Sequence, residues 1–347
     1  MATILNHSFS TVYFDIVGYC NAKCPYCHSG RNKIHHSGKK ISPDLFRDSL
    51  KRLLHNGTIH SNTTIHLYNW GEPFLHPQFQ EIVQIINEFG LHYAISTNAS
   101  VIPALSPLIF QNLDTIRFSM PGFSQESYDK IHGFQFTTIQ NNIIHLVKKS
   151  KEFGFKGHFL IAFHIYNFNK TELKSAELFA SKWGILFDPY YALLNHWELL
   201  QGYNTLPSPQ ISQIQNDICH INELPSILKN APKNYTCPQW DYLVLDETGN
   251  IAVCCQLPKT HSNYSCGNIL DEDLNKIMIN KNKQAVCSHC IDQGMAYYFN
   301  SGLGIPDIYR RSISQYYLLI KFLITKFKRF GLQEVIRMIK KKYDQNH

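Results

Sequence analysis

Three cysteines separated by three and two residues, Cys20, Cys24 and Cys27, constrain this chain more than any other feature of its sequence. They follow a strand-like run at residues 12–17 and lie in a stretch that glycine, asparagine and proline break into a loop. Three thiolates this close together can hold three irons of a 4Fe–4S cube and leave the fourth iron open to a small molecule. The spacing therefore predicts a redox centre in the loop after a strand.

Zinc and a disulfide framework are the alternatives. Zinc usually takes four protein ligands, and the remaining candidate here, His28, adjoins Cys27, which makes joint tetrahedral binding awkward. Disulfides are typical of secreted proteins, whereas this chain of 347 residues with ten cysteines begins without the pattern of a signal peptide. The cysteines therefore indicate metal binding in a reducing cytoplasm.

Three further motifs follow in order, each at the end of a strand-like run: Asn69-Trp-Gly-Glu-Pro73, Ser96-Thr-Asn98 and Arg117-Phe-Ser119. Together with the cysteines, and with Tyr26 just before the third of them, they resemble the signature of the radical S-adenosylmethionine (SAM) superfamily. The resemblance implies that the cysteine cluster binds and reductively cleaves SAM. It implies cofactor contacts from Tyr26, Gly71, Glu72, Pro73, Thr97, Asn98, Ser119 and His132.

Two positions depart from the family pattern. Trp70 stands where related proteins have the first glycine of a Gly-Gly-Glu-Pro stretch, and His132 stands where they often have an arginine that pairs with the SAM carboxylate. A neutral histidine offers one donor, whereas arginine grips a carboxylate with two. Either His132 binds SAM more weakly than arginine would, or it is a helix-end residue beside Gly133.

Strand and helix patterns alternate over residues 10–192, with strand-like runs near residues 11–17, 63–68, 91–96, 113–119, 157–166 and 185–191. Such alternation predicts an α/β fold with a parallel sheet, and the resemblance specifies a partial (β/α)6 TIM-like barrel. The predicted divisions of the chain are a barrel at 10–192, a bridging segment at 193–236, an auxiliary cluster domain at 237–300 and a basic amphipathic helical tail at 301–347.

A second set of cysteines begins at Cys237. Residues 242–255 read as a β-hairpin, which brings Cys237 close to Cys254 or Cys255, and Cys287-Ser-His-Cys290 supplies a chelating pair. This part resembles the SPASM or shorter twitch domains of radical SAM enzymes. The resemblance implies one auxiliary 4Fe–4S cluster on Cys237, Cys254, Cys287 and Cys290, with Cys255 as the rival of Cys254 and zinc on the same thiolates as the alternative.

The fate of the substrate radical decides the reaction that the resemblance implies. After the 5′-deoxyadenosyl radical takes a hydrogen atom from the substrate, an auxiliary cluster that accepts an electron gives a two-electron oxidation. A thiol that returns a hydrogen atom gives an epimerisation instead, and the candidates for such a donor are Cys219, Cys255 and Cys266. We expect the oxidation.

The barrel pattern begins near residue 10, which favours a small-molecule substrate such as a sugar or aminocyclitol over a peptide that needs a leader-binding domain. Peptide maturation and epimerisation are the alternative enzymatic functions. A cluster-bearing protein that binds or senses without catalysis is the alternative of another class. The resemblance also implies a flavodoxin- or ferredoxin-type electron donor.

The net charge of +7 is concentrated in the tail. Residues 309–343 hold ten Lys/Arg against one acid, a charge of +9, so the rest of the chain carries −2 and does not indicate a nucleic-acid partner. An apolar stripe within 312–342 can dock on the barrel or on a partner, which we favour, or can lie on an anionic membrane surface. The expected location is therefore the cytoplasm, with peripheral membrane contact as the alternative.

Overall fold

A nine-stranded sheet forms the centre of the computed structural model, which describes residues 8–31, 36–257, 264–281, 283–304 and 306–343. The strand order is β6-β5-β4-β3-β2-β1-β7-β8-β9. The strands are β1 Thr11–Phe14, β2 Thr64–His66, β3 His92–Thr97, β4 Leu113–Met120, β5 His158–Ile165, β6 Leu186–Tyr191, β7 Tyr242–Leu245, β8 Asn250–Ala252 and β9 Ser265–Asn268.

The first six strands are parallel and alternate with helices, which confirms the predicted α/β fold with a partial TIM-like barrel. Helices that cover the sheet present apolar faces to it; α3, for example, buries Phe79, Ile82 and Ile86 at helical spacing. The helices are α1 His28–Arg31, α2 Pro43–His55, α3 Phe79–Glu88, α4 Pro107–Phe110, α5 Gln125–Lys130, α6 Phe136–Glu152, α7 Leu173–Trp183, α8 Trp197–Gln201, α9 Ser208–Asp217, α10 Leu224–Lys229, α11 Leu274–Lys281, α12 Ala285–Asp292, α13 Met295–Asn300 and α14 Ile313–Tyr343.

The hairpin of the second cysteine set extends the barrel sheet. Strand β7 pairs in parallel with β1, from Thr11 opposite Tyr242 to Phe14 opposite Leu245. Strands β8 and β9 then continue the sheet in antiparallel fashion. The part of the chain with the second cysteine set is therefore attached to the strand that precedes the first set.

The bridging segment builds a second apolar core over the carboxyl ends of the strands. Trp197 and Leu200 of α8 are buried there together with Tyr298 and Phe299 of α13. Tyr26 of the first cysteine loop belongs to the same cluster. This core therefore joins the first cysteine loop, the bridging segment and the helices after the second cysteine set.

Helix α14 is kinked at Gly331, whose φ of 79° and ψ of 173° are not helical, and the part before this glycine crosses the amino-terminal ends of the barrel strands. Its Gln315 is buried, accepts a hydrogen bond from the Phe187 N–H (2.7 Å) and donates one to the Ile185 carbonyl (3.0 Å). Within the next two turns, Phe322 packs with Leu318 and Leu319 on Leu160, Ala162 and Leu186 of the sheet. No helix in the described ranges has an apolar stretch long enough to cross a lipid bilayer.

An ion pair also holds helix α14 on the barrel, further along the helix than Phe322. The Arg329 guanidinium donates to Asp114 at the start of β4, and also to the Asn62 carbonyl (3.2 Å) and the Thr64 hydroxyl (3.1 Å). Both charged side chains are about 14% exposed, so little water competes for the pair.

Replacing Arg329 by methionine should lower the stability of the chain, because it leaves the Asp114 carboxylate with weaker partners. A charged hydrogen bond contributes about 2 kcal/mol, so we expect the thermal midpoint to fall by about 3 °C or more. Arg310, which is exposed and donates to the carbonyls of Asp307 and Tyr309 in its own loop, supplies the control Arg310→Met. An Arg329→Met midpoint equal to that of the control would contradict the account.

Candidate active site

The three cysteines of the first set face one cleft at the carboxyl ends of the barrel strands. Cys20, Cys24 and Cys27 line it together with residues from the ends of β2, β3 and β4, and the cavity volume is about 250 Å³. Burial raises the pKa of Cys20 to about 12 and also raises the pKa values of the other two thiols. Their thiolates therefore need a bound cation to form at neutral pH.

Glu72 is held at the bottom of the cleft by the strands around it. Its carboxylate accepts hydrogen bonds from the Thr97 hydroxyl (2.7 Å) and the Asn98 N–H (2.8 Å). Its own N–H donates to the carbonyl of Tyr19, next to Cys20 (3.0 Å). Burial raises the pKa of this carboxyl to about 7. The structure thus brings three sequence-predicted residues together beside the cysteine loop.

A buried carboxylate that the sequence analysis missed positions the loop before Glu72. Asp15, directly after β1, accepts the backbone N–H groups of Asn69 (2.8 Å), Trp70 (3.0 Å) and Gly71 (3.0 Å). The signal in the sequence is a lone acid within an otherwise apolar run. Its partners lie more than fifty residues away along the chain, which is why periodicity alone does not reveal them.

Gly71 is required by this close approach. A Cβ atom added there would lie 1.9 Å from the carbonyl oxygen of Val17, a separation at which the backbone must move. Trp70, in contrast, is accommodated, because its indole turns away from the loop and its Nε1–H donates to the Leu257 carbonyl (3.2 Å). The departure from the family pattern at position 70 therefore links the loop to the segment after β8.

The other predicted cofactor residues divide into those that line the cleft and one that does not. Tyr26, Ser119 and His132 line it, and the Tyr26 hydroxyl donates to the Asp217 carboxylate (2.5 Å). Pro73 begins a buried 3₁₀ turn beneath the loop and does not line the cleft.

Three buried polar atoms in the cleft make no hydrogen bond to any described residue: His132 Nδ1, Asn69 Nδ2 and Asn195 Oδ1. Buried polar atoms in proteins nearly always have partners, so these atoms fit a polar ligand. Burial also lowers the pKa of His132 to about 3. This histidine is therefore neutral and offers a hydrogen bond to a ligand without a charge.

The second cysteine set surrounds another, much smaller cavity, of about 30 Å³, with an apolar wall. Its lining includes Cys237, Cys254, Cys287 and Cys290, while the neighbouring Cys255 is absent from it. The Cys255 thiol instead donates to the Gln239 side chain (2.7 Å). The structure thus gathers the four predicted ligands and separates Cys254 from its rival.

Two side chains outside the predicted set bring positive charge or a donor to these thiols. Trp240 lines the cavity and donates a hydrogen bond to Cys287. Lys281, at the end of α11, is buried and interacts electrostatically with Cys254 and Cys287, and its burial lowers its pKa. Both interactions favour thiolates over neutral thiols.

The two remaining candidates for a hydrogen donor lie away from the cleft. Cys219 is buried in the main apolar core, and Cys266 packs at the edge of the sheet in β9. Neither lines the cleft that contains the first cysteine set. The geometry does not bring either thiol to that site.

His28, next to Cys27, connects the first loop to the bridging segment. Its Nε2 accepts the Trp197 N–H (2.9 Å), and its Nδ1 lies 3.3 Å from the Glu198 carboxylate. Since Nε2 accepts, a neutral ring carries its proton on Nδ1, which suits a hydrogen bond to Glu198 better than a metal ion. Trp197 in turn lines the second cavity.

Comparisons with known proteins agree with this geometry. The family profile of the radical SAM superfamily matches residues 15–179. The chain contains a radical SAM domain. Such a domain uses a 4Fe–4S cluster and SAM, in line with the cysteine loop and the cleft described above. No curated protein sequence gives a significant match.

Solved structures share the fold over most of the chain. Streptococcus suis SuiB bound to the precursor peptide SuiA is 15% identical with a TM-score of 0.56, over 84% of this chain and 71% of that chain. The protein anSMEcpe with bound AdoMet is 14% identical with a TM-score of 0.54, over 94% of this chain and 99% of that chain. At this identity the likeness shows the fold, so substrate and reaction must be argued from the site.

Replacing Asp15 by asparagine should weaken SAM binding about tenfold, because an amide NH₂ then faces one of the three backbone N–H groups and a charged hydrogen bond is lost. Equilibrium dialysis of the reconstituted protein with labelled SAM measures the effect. The matched control is Asp129→Asn, the same change at an exposed carboxylate that bonds Gln125. Equal SAM affinity in both variants would show that Asp15 does not position the loop for the cofactor.

Proposed function

We propose that this chain is a radical SAM oxidoreductase that removes two electrons from its substrate with the help of an auxiliary 4Fe–4S cluster. The observation that carries the proposal is a second gathering of four cysteine thiols in a chain that also contains a radical SAM domain. The two centres and their connection each support it.

At the first centre, Cys20, Cys24 and Cys27 would hold the SAM-binding cluster. Three thiolates leave one iron without a protein ligand, and the cleft beside them contains buried polar atoms that lack partners among the described residues. In this proposal the loop of Gly71 and Glu72 receives the amino-acid end of SAM. Tyr26, Thr97, Asn98, Ser119 and His132 complete the proposed cofactor contacts.

At the second centre, Cys237, Cys254, Cys287 and Cys290 would hold the auxiliary cluster. No three of the described cysteines have sulfur atoms within 4.8 Å of one another. Four sulfurs bound to one zinc ion at about 2.3 Å would be only about 3.8 Å apart. The wider spacing favours a cube over zinc, and the same argument applies to the first centre.

The surroundings of the second centre suit a group of negative charge. A cube with four thiolate ligands is an anion, and its reduction potential depends on nearby charge and on hydrogen bonds to sulfur. Lys281 supplies a buried cation and Trp240 supplies an N–H donor. Both would make the cluster easier to reduce, as an electron acceptor requires.

Side-chain contacts run directly between the two centres. Trp70 lines the SAM cleft and donates to the carbonyl of Leu257, which lines the second cavity. His28 adjoins Cys27 and accepts the N–H of Trp197, which also lines the second cavity. The centres are thus separated by packed protein, which excludes water from the space between them.

The proposed net reaction removes a hydrogen atom, an electron and a proton from the substrate, which converts an alcohol to a ketone. When bound, SAM and the two clusters supply the acceptors of the hydrogen atom and the electron. The chain itself offers two neutral imidazoles in the cleft, His132 and His164, since burial lowers the pKa of each to between about 3 and about 4. At these pKa values both imidazoles are weak bases that can hydrogen-bond the substrate but not hold its proton, so the proton passes to water at the open side of the cleft.

A small molecule such as a sugar or aminocyclitol is the substrate that we propose. A cavity of about 250 Å³ lies just below the usual range for pockets that enclose small ligands, which favours a compact molecule over an extended peptide. A peptide is the second candidate, because SuiB was solved with a precursor peptide and anSMEcpe with a peptide named Cp18Cys.

Cleavage of SAM tests the proposed function. We expect the reduced, reconstituted protein to release 5′-deoxyadenosine, and Cys24→Ala to release none. Cell extract separated into small-molecule and peptide fractions then shows which class stimulates the release. We expect the small-molecule fraction to do so, and mass spectrometry to reveal a product two hydrogens lighter than its substrate.

The double variant Cys287→Ala/Cys290→Ala is the matched control for that assay. It should still cleave SAM but should not form the oxidised product, because the electron acceptor is lost. No SAM cleavage by the reduced wild type would overturn the proposal. If only the peptide fraction stimulates the release of 5′-deoxyadenosine, the proposed function becomes modification of a peptide instead of oxidation of a small molecule.

The neighbouring thiols Cys254 and Cys255 provide a sharper test of the second centre. We expect Cys254→Ala to remove the electron paramagnetic resonance signal of the auxiliary cluster, because its thiol lines the cavity. Cys255→Ala should retain the signal, because this thiol bonds Gln239 instead. The opposite pattern in the two variants would show that the ligand set is wrong.

A further inference from the structure

Helix α14 has a second apolar face, opposite to the one that docks on the barrel. Ile313, Tyr317, Ile320, Ile324 and Phe327 follow one another at intervals of four, three, four and three residues. At about 100° per residue, this spacing keeps them within a stripe about 80° wide. The five residues are referred to below as the outer stripe.

The outer stripe faces away from the barrel. Its exposed fractions run from 48% at Ile324 and Phe327 to 89% at Ile313. The residues that hold the helix in place, Phe322 and Arg329, project about 180° and 160° from the centre of the stripe and contact the sheet and Asp114. The docking of the helix therefore fixes the outer stripe on the surface.

The exposure of large apolar side chains is concentrated on this helix. Eight of the twelve large hydrophobic side chains that are exposed in the described residues belong to α14. Scattered exposed hydrophobics are ordinary, whereas a contiguous patch marks an interaction surface. The docked face already satisfies the helix's packing on its own barrel, so the outer stripe needs another explanation.

Positive charge flanks the stripe. Lys321 and Lys328 are exposed on the side of the stripe about 60° to 80° from its centre, and the Lys321 ammonium lies 4.3 Å from the centre of the Tyr317 ring. Residues 309–343 carry +9, against −2 for the rest of the chain. Such a charge repels a second copy of the same helix and attracts an anionic surface.

We propose that the outer stripe lies on an anionic lipid bilayer, with its apolar side chains among the acyl chains and its lysines at the headgroups. An amphipathic helix with lysines beside an apolar face binds such surfaces through buried apolar area and charge together. Because α14 crosses the amino-terminal ends of the strands, the SAM cleft at their carboxyl ends faces away from the membrane. The proposal does not depend on which reaction the cleft performs.

Sedimentation of the full chain with vesicles tests the proposal. The vesicles contain phosphatidylcholine alone or phosphatidylcholine with about one-third phosphatidylglycerol, at low salt and at about 0.3 M salt. We expect binding to the anionic vesicles at low salt, weaker binding at high salt and none to phosphatidylcholine alone. Failure to bind anionic vesicles at low salt would overturn the proposal.

Variants distinguish binding through the outer stripe from nonspecific adsorption of the protein to vesicles. Ile320→Asp/Ile324→Asp should weaken binding at least about tenfold, and Lys321→Gln/Lys328→Gln about tenfold. Leu178→Asp, at an exposed leucine of α7, is the matched control and should bind as the wild type does. A stripe variant that binds like the control would contradict the assignment.

The oligomeric state and the fold are measured on the same samples. Thermal midpoints of the variants should match the wild type, because the changed side chains face solvent. Light scattering without vesicles should show a monomer for wild type and variants. A wild-type dimer that Ile320→Asp/Ile324→Asp dissociates would identify a second copy as the occupant of the stripe and would overturn the lipid proposal.

Discussion

The buried carboxylate of Asp15 is the interaction on which the arrangement of the two centres depends. It accepts three backbone N–H groups from the loop of Trp70 and Gly71, and its own N–H donates to the Leu245 carbonyl of β7 (2.9 Å). One residue at the end of β1 therefore ties together the strand before the first cysteine loop, the loop that carries Glu72 and the hairpin of the second cysteine set. The carboxylate needs such a set of donors, since a buried charge without partners would cost several kcal/mol.

Through this connection, the same residues support both cysteine centres. Trp70 is held by Asp15 at its backbone and by Leu257 at its indole, so the loop beside the cleft of the first cysteine set also forms part of the support of the second cavity. His28, whose ring packs edge-on against that of Trp70 with 4.9 Å between the ring centres, does the same through Trp197. If the second centre only stabilised its own part of the chain, it would not need contacts next to the first cysteine loop. These contacts therefore favour a functional link between the two centres.

Features that depend on local spacing could be predicted from the sequence. The six parallel strands follow from alternating apolar patterns, and the first set of cysteines follows from short intervals. The second set follows from a predicted hairpin that joins Cys237 to Cys254 or Cys255, together with the close pair Cys287 and Cys290. The choice between Cys254 and Cys255 could not be made, because neighbouring residues at a strand end point in opposite directions and only tertiary packing decides between them. The contact of Asp15 with a loop more than fifty residues away, and the pairing of β7 on β1, belong to the same class of long-range information.

The C-terminal tail is a second case in which the sequence pattern does not determine the tertiary contacts. Its periodicity indicates an amphipathic helix, but an apolar residue at every third or fourth position does not say how many surfaces the helix touches. In the structure Phe322 and Arg329 face the barrel, while Ile320 and Ile324 face solvent on the opposite side. The docking and the surface binding that compete as interpretations of the sequence concern different faces of one helix: the structure shows the docked face, and the surface binding that we propose would use the other.

The central claim is that the chain holds two iron–sulfur clusters, one on each set of cysteines. Its most direct test is the iron and sulfide content per chain after anaerobic reconstitution, for the wild type and for Cys287→Ala/Cys290→Ala. The account predicts about eight irons and eight sulfides in the wild type and about four of each in the variant. About four irons in both proteins would contradict it.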